Sequence, residues 1–365
     1  MQITAAVVRS RAGAFTLEDV EIEAPRPGEV LVRVLATGVC HTDMVMRDQD
    51  LPTPQPVVLG HEGAGVVERV GAGVTKVAPG DHVVMTFNSC GACASCEHHA
   101  PTYCHEFFPR NFMGARADGT SGLSKAGETI HANIFGQSSF ATYALCHERN
   151  AVKVPKTAPL EILGPLGCGV MTGAGAVMNA LQVESGRSLV VFGAGAVGLS
   201  AVLAAKVVGA GPVIVVDLNP SRLKLALDLG ADHALDGHAP VAEQIRAITG
   251  AGADYSLDTT ANLAVMRQAV DILAPRGACG LVAASRMGDE LGVDLVPLIS
   301  GGRHVRGIVE GDADPDSFIP YLVELHRAGR FPFDRLIAFY PMSEINAAVA
   351  DAEAGRVVKP VVRMG

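Results

Sequence analysis

The chain has 365 residues, enough for two domains with separate cores, and 48% of them are hydrophobic, which excludes a disordered polypeptide. Its 29 basic and 38 acidic residues leave a net charge of −9, which argues against a nucleic-acid partner and against an anionic membrane surface. Met1 to Phe15 carries two arginines and no long apolar core, so no signal peptide is expected and the cytoplasm is the expected compartment.

The N-terminal part reads as β-rich. Short apolar runs at Ala5–Val8, Val30–Leu35, Gly65–Val70 and His82–Thr86 are separated by turn signals such as Pro25-Arg26-Pro27-Gly28 and Pro79-Gly80-Asp81. A β-barrel-like domain is the expectation. Next comes a cysteine cluster, Cys90-x-x-Cys93-x-x-Cys96, followed by Cys104 after seven intervening residues. Without a secretory signal, disulfides are the less natural use of four clustered thiols. Four thiolates on one short loop match a closed tetrahedral zinc site, and a redox-active or iron–sulfur loop is the alternative that the spacing leaves open.

Three more candidates lie far apart: Cys40 in Gly-Val-Cys-His-Thr-Asp, His61 in Leu-Gly-His-Glu-Gly, and Cys168 between two glycines. Taken singly, each has a plain structural reading, a small buried thiol or a locally bonded histidine. Ile162–Val183 and Ser188–Ala205 are uncharged and long enough to cross a bilayer. Their glycines, proline and alanines argue instead for a buried core, and no membrane partner is expected.

Ser188 to Asp217 reads as one βαβ unit. The apolar run Leu189–Phe192 meets Gly193-x-Gly195-x-x-Gly198, a small-residue helix runs from Ala196 to Val208, and a second apolar run ends at Asp217. Gly193 permits the tight turn, Gly195 lets the backbone approach a pyrophosphate, and Gly198 lets helix and strand pack closely. Asp217 is placed to accept from both ribose hydroxyls and to repel a 2′-phosphate, so NAD is favoured over NADP. Beyond it, Asn219-Pro220 marks a helix start and Gly230 its stop. Tyr255–Asp258 and Cys279–Ala283 suggest further parallel strands. Pro315–Gly329 and Ser343–Gly355 suggest amphipathic helices, and Pro360–Arg363 a closing strand. Cys146 and Cys279 are expected to be buried thiols without a chemical role.

Taken together, Gly60-His61-Glu62-x-x-Gly65 followed by Val66-Val67, the four-cysteine loop, Gly-Cys168-Gly and the glycine turn resemble, nearly end to end, the zinc-dependent medium-chain alcohol dehydrogenases. The resemblance is closest to the bacterial benzyl (aryl) alcohol dehydrogenase branch, which includes relatives acting on geraniol. It is carried there by Cys104-His-Glu-Phe-Phe-Pro-Arg-Asn111-Phe112, Phe135-Gly-Gln-Ser-Ser-Phe140, Gly164-Pro-Leu-Gly-Cys168-Gly, Glu310-Gly-Asp-Ala-Asp-Pro315 and Phe331-Pro-Phe-Asp-Arg335.

The resemblance implies an α/β fold: a GroES-like β-rich catalytic domain, residues 1–169 completed by 313–365, and a Rossmann doubly wound parallel-sheet domain, residues 170–312, with the active site in the cleft between them. It implies two zinc ions per subunit, a structural one on Cys90, Cys93, Cys96 and Cys104 and a catalytic one on Cys40, His61 and Cys168. Thr42 would bond the reacting oxygen, Asp43 would orient His61, Glu62 would sit behind the metal, and His41 would face the pyrophosphate. Val45 stands where many relatives carry the last histidine of a proton relay, so either His41 or water would complete that route.

Around NAD the resemblance places Gly193, Gly195, Val197, Gly198, Asp217, Arg222, Thr172 and Lys359, with Arg222 and Lys359 open to the alternative of plain surface charges. Around the substrate it places Leu51, Phe87, Tyr103, Ile134 and Phe135. The implied reaction is reversible oxidation of an aryl or allylic primary alcohol to the aldehyde. The alternatives are a general primary-alcohol or glutathione-dependent formaldehyde dehydrogenase, or an inactive NADH-binding protein. The resemblance further implies a homodimer or homotetramer.

Overall fold

Strand Glu29–Gly38 carries Val30, Leu31, Val32 and Val34, all buried, and neighbours bond to it along both edges. A run this apolar suits a strand covered on both faces. The computed structural model describes residues 1–283 and 286–365. It separates into a first unit, Met1–Cys168 with Asp314–Ala328 and Asp334–Gly365, and a second, Gly169–Ala313 with Gly329–Phe333.

In the first unit Glu29–Gly38 pairs antiparallel with Glu62–Val70, Tyr143–His147 and the last strand, Lys359–Arg363. The chain's end thus completes a sheet begun near its start. Glu62–Val70 is longer than the apolar run from Gly65 because Glu62, Gly63 and Ala64 pair with Gly38, Thr37 and Ala36. That pairing sets the functional geometry, since it brings the residues just after Gly38 beside those just before Glu62. A second sheet holds Gln2–Val8, Thr16–Ile22 and three shorter strands. Thr16–Ile22 alternates exposed and buried positions, a signal present in Leu-Glu-Asp-Val-Glu-Ile but interrupted by charge.

The second unit is built on a six-stranded, all-parallel sheet in the order His233–Asp236, Val213–Asp217, Leu189–Phe192, Ala253–Asp258, Leu273–Leu281, His304–Gly307. In chain order within the unit this is 3-2-1-4-5-6, the doubly wound arrangement. The central strands Leu189–Phe192 and Val213–Val216 are buried throughout, and burial of each such Val or Leu contributes about 1.5–3 kcal/mol. No single helix among the described residues is long and apolar enough to cross a membrane. The uncharged stretches at Ile162 and Ser188 supply buried core residues such as Leu163, Leu166, Val190 and Leu199.

Candidate active site

The four cysteine sulfurs at Cys90, Cys93, Cys96 and Cys104 all lie within 4.8 Å of one another. The Cys90–Cys96, Cys93–Cys96 and Cys93–Cys104 separations are 3.9, 3.6 and 4.0 Å. A zinc–sulfur bond of about 2.3 Å gives a tetrahedron with edges of about 3.8 Å, so the donor set fits one ion. It is too tight for a cluster of several metal atoms and too open for disulfides. Backbone N–H groups support the negative sulfur: Cys93 donates to Cys90 at 3.2 Å and His105 donates to Cys93 at 3.4 Å. The amides of His105, foremost, and of Cys96 lower the Cys93 thiol pKa to about 6.

A second donor set gathers Cys40, His61, Glu62 and Cys168, again with ligand atoms within 4.8 Å of each other. Its geometry follows from the Gly38–Glu62 pairing. Cys40 occupies the N-cap of helix His41–Arg47, and Asp43, fully buried on that helix, reaches back. One Asp43 oxygen accepts from the Cys40 amide at 3.1 Å; the other accepts from the Gly60 amide at 3.0 Å and lies 2.9 Å from His61 Nδ1. Binding Nδ1 in this way leaves Nε2 as the outward donor. That Nε2 is buried and has no hydrogen-bond partner among the described residues, the kind of orphan that a metal ion satisfies.

The electrostatics agree. Burial opposes a charged imidazole, yet Asp43 and Cys40 hold the His61 pKa well above its ordinary value; the field that favours a proton here favours a cation. The Cys40 thiol is pulled well down, chiefly by its hydrogen bond with Cys168 and against the effect of burial. Cys168 closes the turn Gly164–Gly167, whose last glycine sits so near the barrel that a Cβ there would lie 2.2 Å from the Met85 carbonyl oxygen. Thr86 fastens the same turn, donating to the Gly167 carbonyl at 2.7 Å. Thr42 Oγ1 lies 3.9 Å from Cys40 Sγ, while His41 is exposed and Val45 half-buried.

Glu62, itself a member of this set, is paired with Lys359. Lys359 is not a surface charge. It is only 3% exposed, and its ammonium donates to both Glu62 oxygens at 2.9 Å and to the Val39 carbonyl at 3.1 Å. Burial works against that ammonium, and the Glu62 and Cys40 charges outweigh it, so its pKa stands above the ordinary value. The pairing arises because Lys359 opens the strand that lies against Glu29–Gly38, and nothing local in the sequence marks it.

The expected substrate residues divide. Phe87, Ile134 and Phe135 are buried, Leu51 is half-buried and Tyr103 is exposed. Phe135 lies flat on the His61 ring, with centroids 4.4 Å apart and an interplanar angle of 22°. Two further aromatics join it, Phe112 edge-on at 5.0 Å and Phe107 edge-on at 6.5 Å, and Phe107 also meets Phe87 at 5.6 Å. In the sequence Phe107 and Phe112 mark the branch; the structure adds them to the wall beside Phe135. The signal in the sequence is the crowding of three phenylalanines into the six residues Phe107–Phe112, shortly after Cys104.

In the second unit Gly193 takes φ +94°, and a Cβ on Gly198 would stand 1.8 Å from the Gly193 oxygen, which fits the roles read from the sequence. Around the Cβ position of Gly195 there is nothing within 4 Å among the described residues, which leaves room for a pyrophosphate at the N-terminus of helix Ala196–Val208 beside Val197. Asp217 stands at its strand's end, half-buried. Its oxygens accept from the Ala194 amide at 2.6 Å and the Asn219 amide at 2.8 Å, tying the acid to the glycine turn. Arg222 is half-buried on the following helix, and Thr172 donates to Glu310 at 3.4 Å.

Residues 26–156 match the family profile described as the alcohol dehydrogenase GroES-like domain, and residues 196–326 match the one described as zinc-binding dehydrogenase. The chain is 49% identical to geraniol dehydrogenase of Castellaniella defragrans, over 98% of this chain and 96% of that one. Among solved structures it resembles benzyl alcohol dehydrogenase from Acinetobacter calcoaceticus, with a TM-score of 0.98 and 46% identity over the whole of both chains. An alcohol dehydrogenase zinc-binding domain protein from Burkholderia ambifaria gives a TM-score of 0.99 at 55% identity, over 100% of this chain and 99% of that one.

Proposed function

Because the chain belongs to the zinc-binding alcohol dehydrogenases, we propose that it interconverts aryl or allylic primary alcohols and their aldehydes, with NAD as the hydride carrier. The observation that carries the substrate class is the aromatic wall: Phe135 flat on a candidate metal ligand, with Phe107 and Phe112 edge-on behind it. Such a wall favours a planar conjugated substrate. The names of two relatives, acting on geraniol and benzyl alcohol, point the same way.

When bound, zinc on Cys40, His61 and Cys168 supplies a Lewis acid that lowers the pKa of the alcohol hydroxyl, and NAD supplies the hydride acceptor. The chain's own residues do the rest. Thr42 takes the hydroxyl proton by hydrogen bond and passes it to water, since Val45 offers no relay and His41 faces solvent. Asp43 fixes the imidazole's orientation, and the phenylalanines exclude water from the reacting carbon. Asp217 holds the ribose hydroxyls and disfavours a 2′-phosphate.

NADH formation should therefore be fastest with benzyl alcohol, cinnamyl alcohol and geraniol, slower with ethanol, at least roughly a hundredfold better with NAD than NADP, and lost when zinc is removed. A preference for ethanol, or a requirement for glutathione with formaldehyde, would replace the substrate assignment while keeping the reaction class.

The partner is a small alcohol or aldehyde, and a second copy of the chain is also proposed. Strand His304–Gly307 is the last of the parallel sheet, and its residues are exposed. Beside it in sequence, helix Leu295–Ser300 exposes Leu295, Val296 and Ile299 at 61, 73 and 75%, an exposed edge and apolar face suited to homo-oligomer formation. Light scattering should give a multiple of the chain mass; a monomer at all concentrations would reject this. None of the eight cysteines is in a disulfide, which suits the reducing cytoplasm.

A further inference from the structure

Helix Phe107–Phe112, which carries two of the wall's rings, is too short to hold itself in place. Its N-cap, Glu106, makes no side-chain cap, and the ion pair between Arg110 and Glu106 is on its solvent side. What fixes it inwardly is Asn111. This side chain is wholly buried. Its Oδ1 accepts from the Asn88 amide at 2.8 Å, and its Nδ2 donates to the Asn88 carbonyl at 2.9 Å and to the Phe107 carbonyl at 2.6 Å. One amide therefore grips both polar groups of the residue next to Phe87 and, at the same time, the first turn of the helix. Through that grip Phe87, Phe107, Phe112 and Phe135 are held in one register against His61.

We propose that Asn111 is a positioning residue for substrate selection: by locking the Phe107–Phe112 helix to the peptide of Asn88, it sets the aromatic wall at the spacing that accepts a planar conjugated alcohol. The inference rests on the substrate class proposed above. The hydrogen bonds of the Asn111 side chain go to the backbone of Asn88 and Phe107, so it acts through the rings. A ring that is free to tilt loses its contact with a flat substrate, whereas a small aliphatic alcohol never used that contact.

The informative variant is Asn111→Asp, which keeps size and the acceptor while removing both donated bonds and facing two carbonyls with a carboxylate oxygen. In the zinc-loaded enzyme, KM for cinnamyl alcohol should rise about tenfold, the scale of losing two aromatic edge contacts. Its kcat, and both constants for 1-propanol, should stay within about twofold. If Asn111→Asp does not fold, Asn111→Ser, which is too short to bridge both polar groups of Asn88 and the Phe107 carbonyl, should show the same rise in KM for cinnamyl alcohol.

Equal losses for both alcohols, or an unchanged ratio with the thermal midpoint lowered, would reduce Asn111 to a structural amide and overturn the proposal. A parent enzyme that prefers 1-propanol to cinnamyl alcohol would instead overturn the substrate class, and the proposal with it. The parent's profile therefore tells the two failures apart.

Discussion

Cys168→Ala should abolish turnover, by at least roughly a thousandfold, while leaving the fold and NADH binding in place. The size of the effect follows from how the donor set is assembled. Cys40 and His61 are brought together by the Gly38–Glu62 strand pairing and by Asp43, whereas Cys168 arrives separately on a turn fastened by Thr86 and packed closely on the Met85 backbone. Removing its sulfur leaves Cys40 and His61, with the Glu62 oxygens already engaged by Lys359. The fold should survive because Ala keeps the Cβ and the turn's anchors do not involve the thiol. NADH binding should survive because the glycine turn and Asp217 belong to the second unit. Three measurements check this together: kcat, NADH fluorescence titration, and metal content, which should fall from two ions per chain to one. Retained turnover with one ion lost would remove Cys168 from the catalytic site.

The two parts of the site most legible in the sequence are those whose residues lie close together in it. Gly193 to Asp217 is a single strand–helix–strand unit, and its spacing alone implied a turn that the structure displays at φ +94° for Gly193 and in the close contact of Gly198. The cysteine loop is likewise local. Cys40, His61 and Cys168 are different: what joins them is strand register and a distant turn, so only family resemblance brought them together in advance. Lys359 shows what local reading misses. Its partner is Glu62, 297 positions away, and a lysine near the chain's end carries no mark of burial until the last strand is laid against the third. Asn111 was hidden for a related reason, because its value lies in reaching the backbone of Asn88 across two loops. The sheet's outer strands, His233–Asp236 and His304–Gly307, went unmarked because neither has a buried residue; a neighbour's hydrogen bonds, not an apolar pattern, make them strands.

Cys93→Ala should do the converse of Cys168→Ala, lowering stability while the remaining folded enzyme still turns over. The lobe from Cys90 to Cys104 has almost no core of its own. Its helix Ala94–Glu97 buries no residue, and only Thr102 is buried in the turn Pro101–Tyr103. A stretch so polar and so short keeps one conformation only if something else closes it, and the sulfur tetrahedron supplies the closure when zinc is bound. Loss of one thiolate should release that ion and lower the thermal midpoint by about 5–10 °C. Proteolysis should then begin between Cys90 and Cys104. The effect should also reach the substrate site in a graded way, because Phe107 donates its amide to the Cys104 carbonyl at 2.9 Å, so a loosened lobe loosens the start of the aromatic helix. KM for a conjugated alcohol should rise more than kcat falls. An unchanged midpoint with two ions still bound would show that the four cysteines do not hold a structural metal. Complete loss of turnover in well-folded protein would make the lobe part of the catalytic site itself.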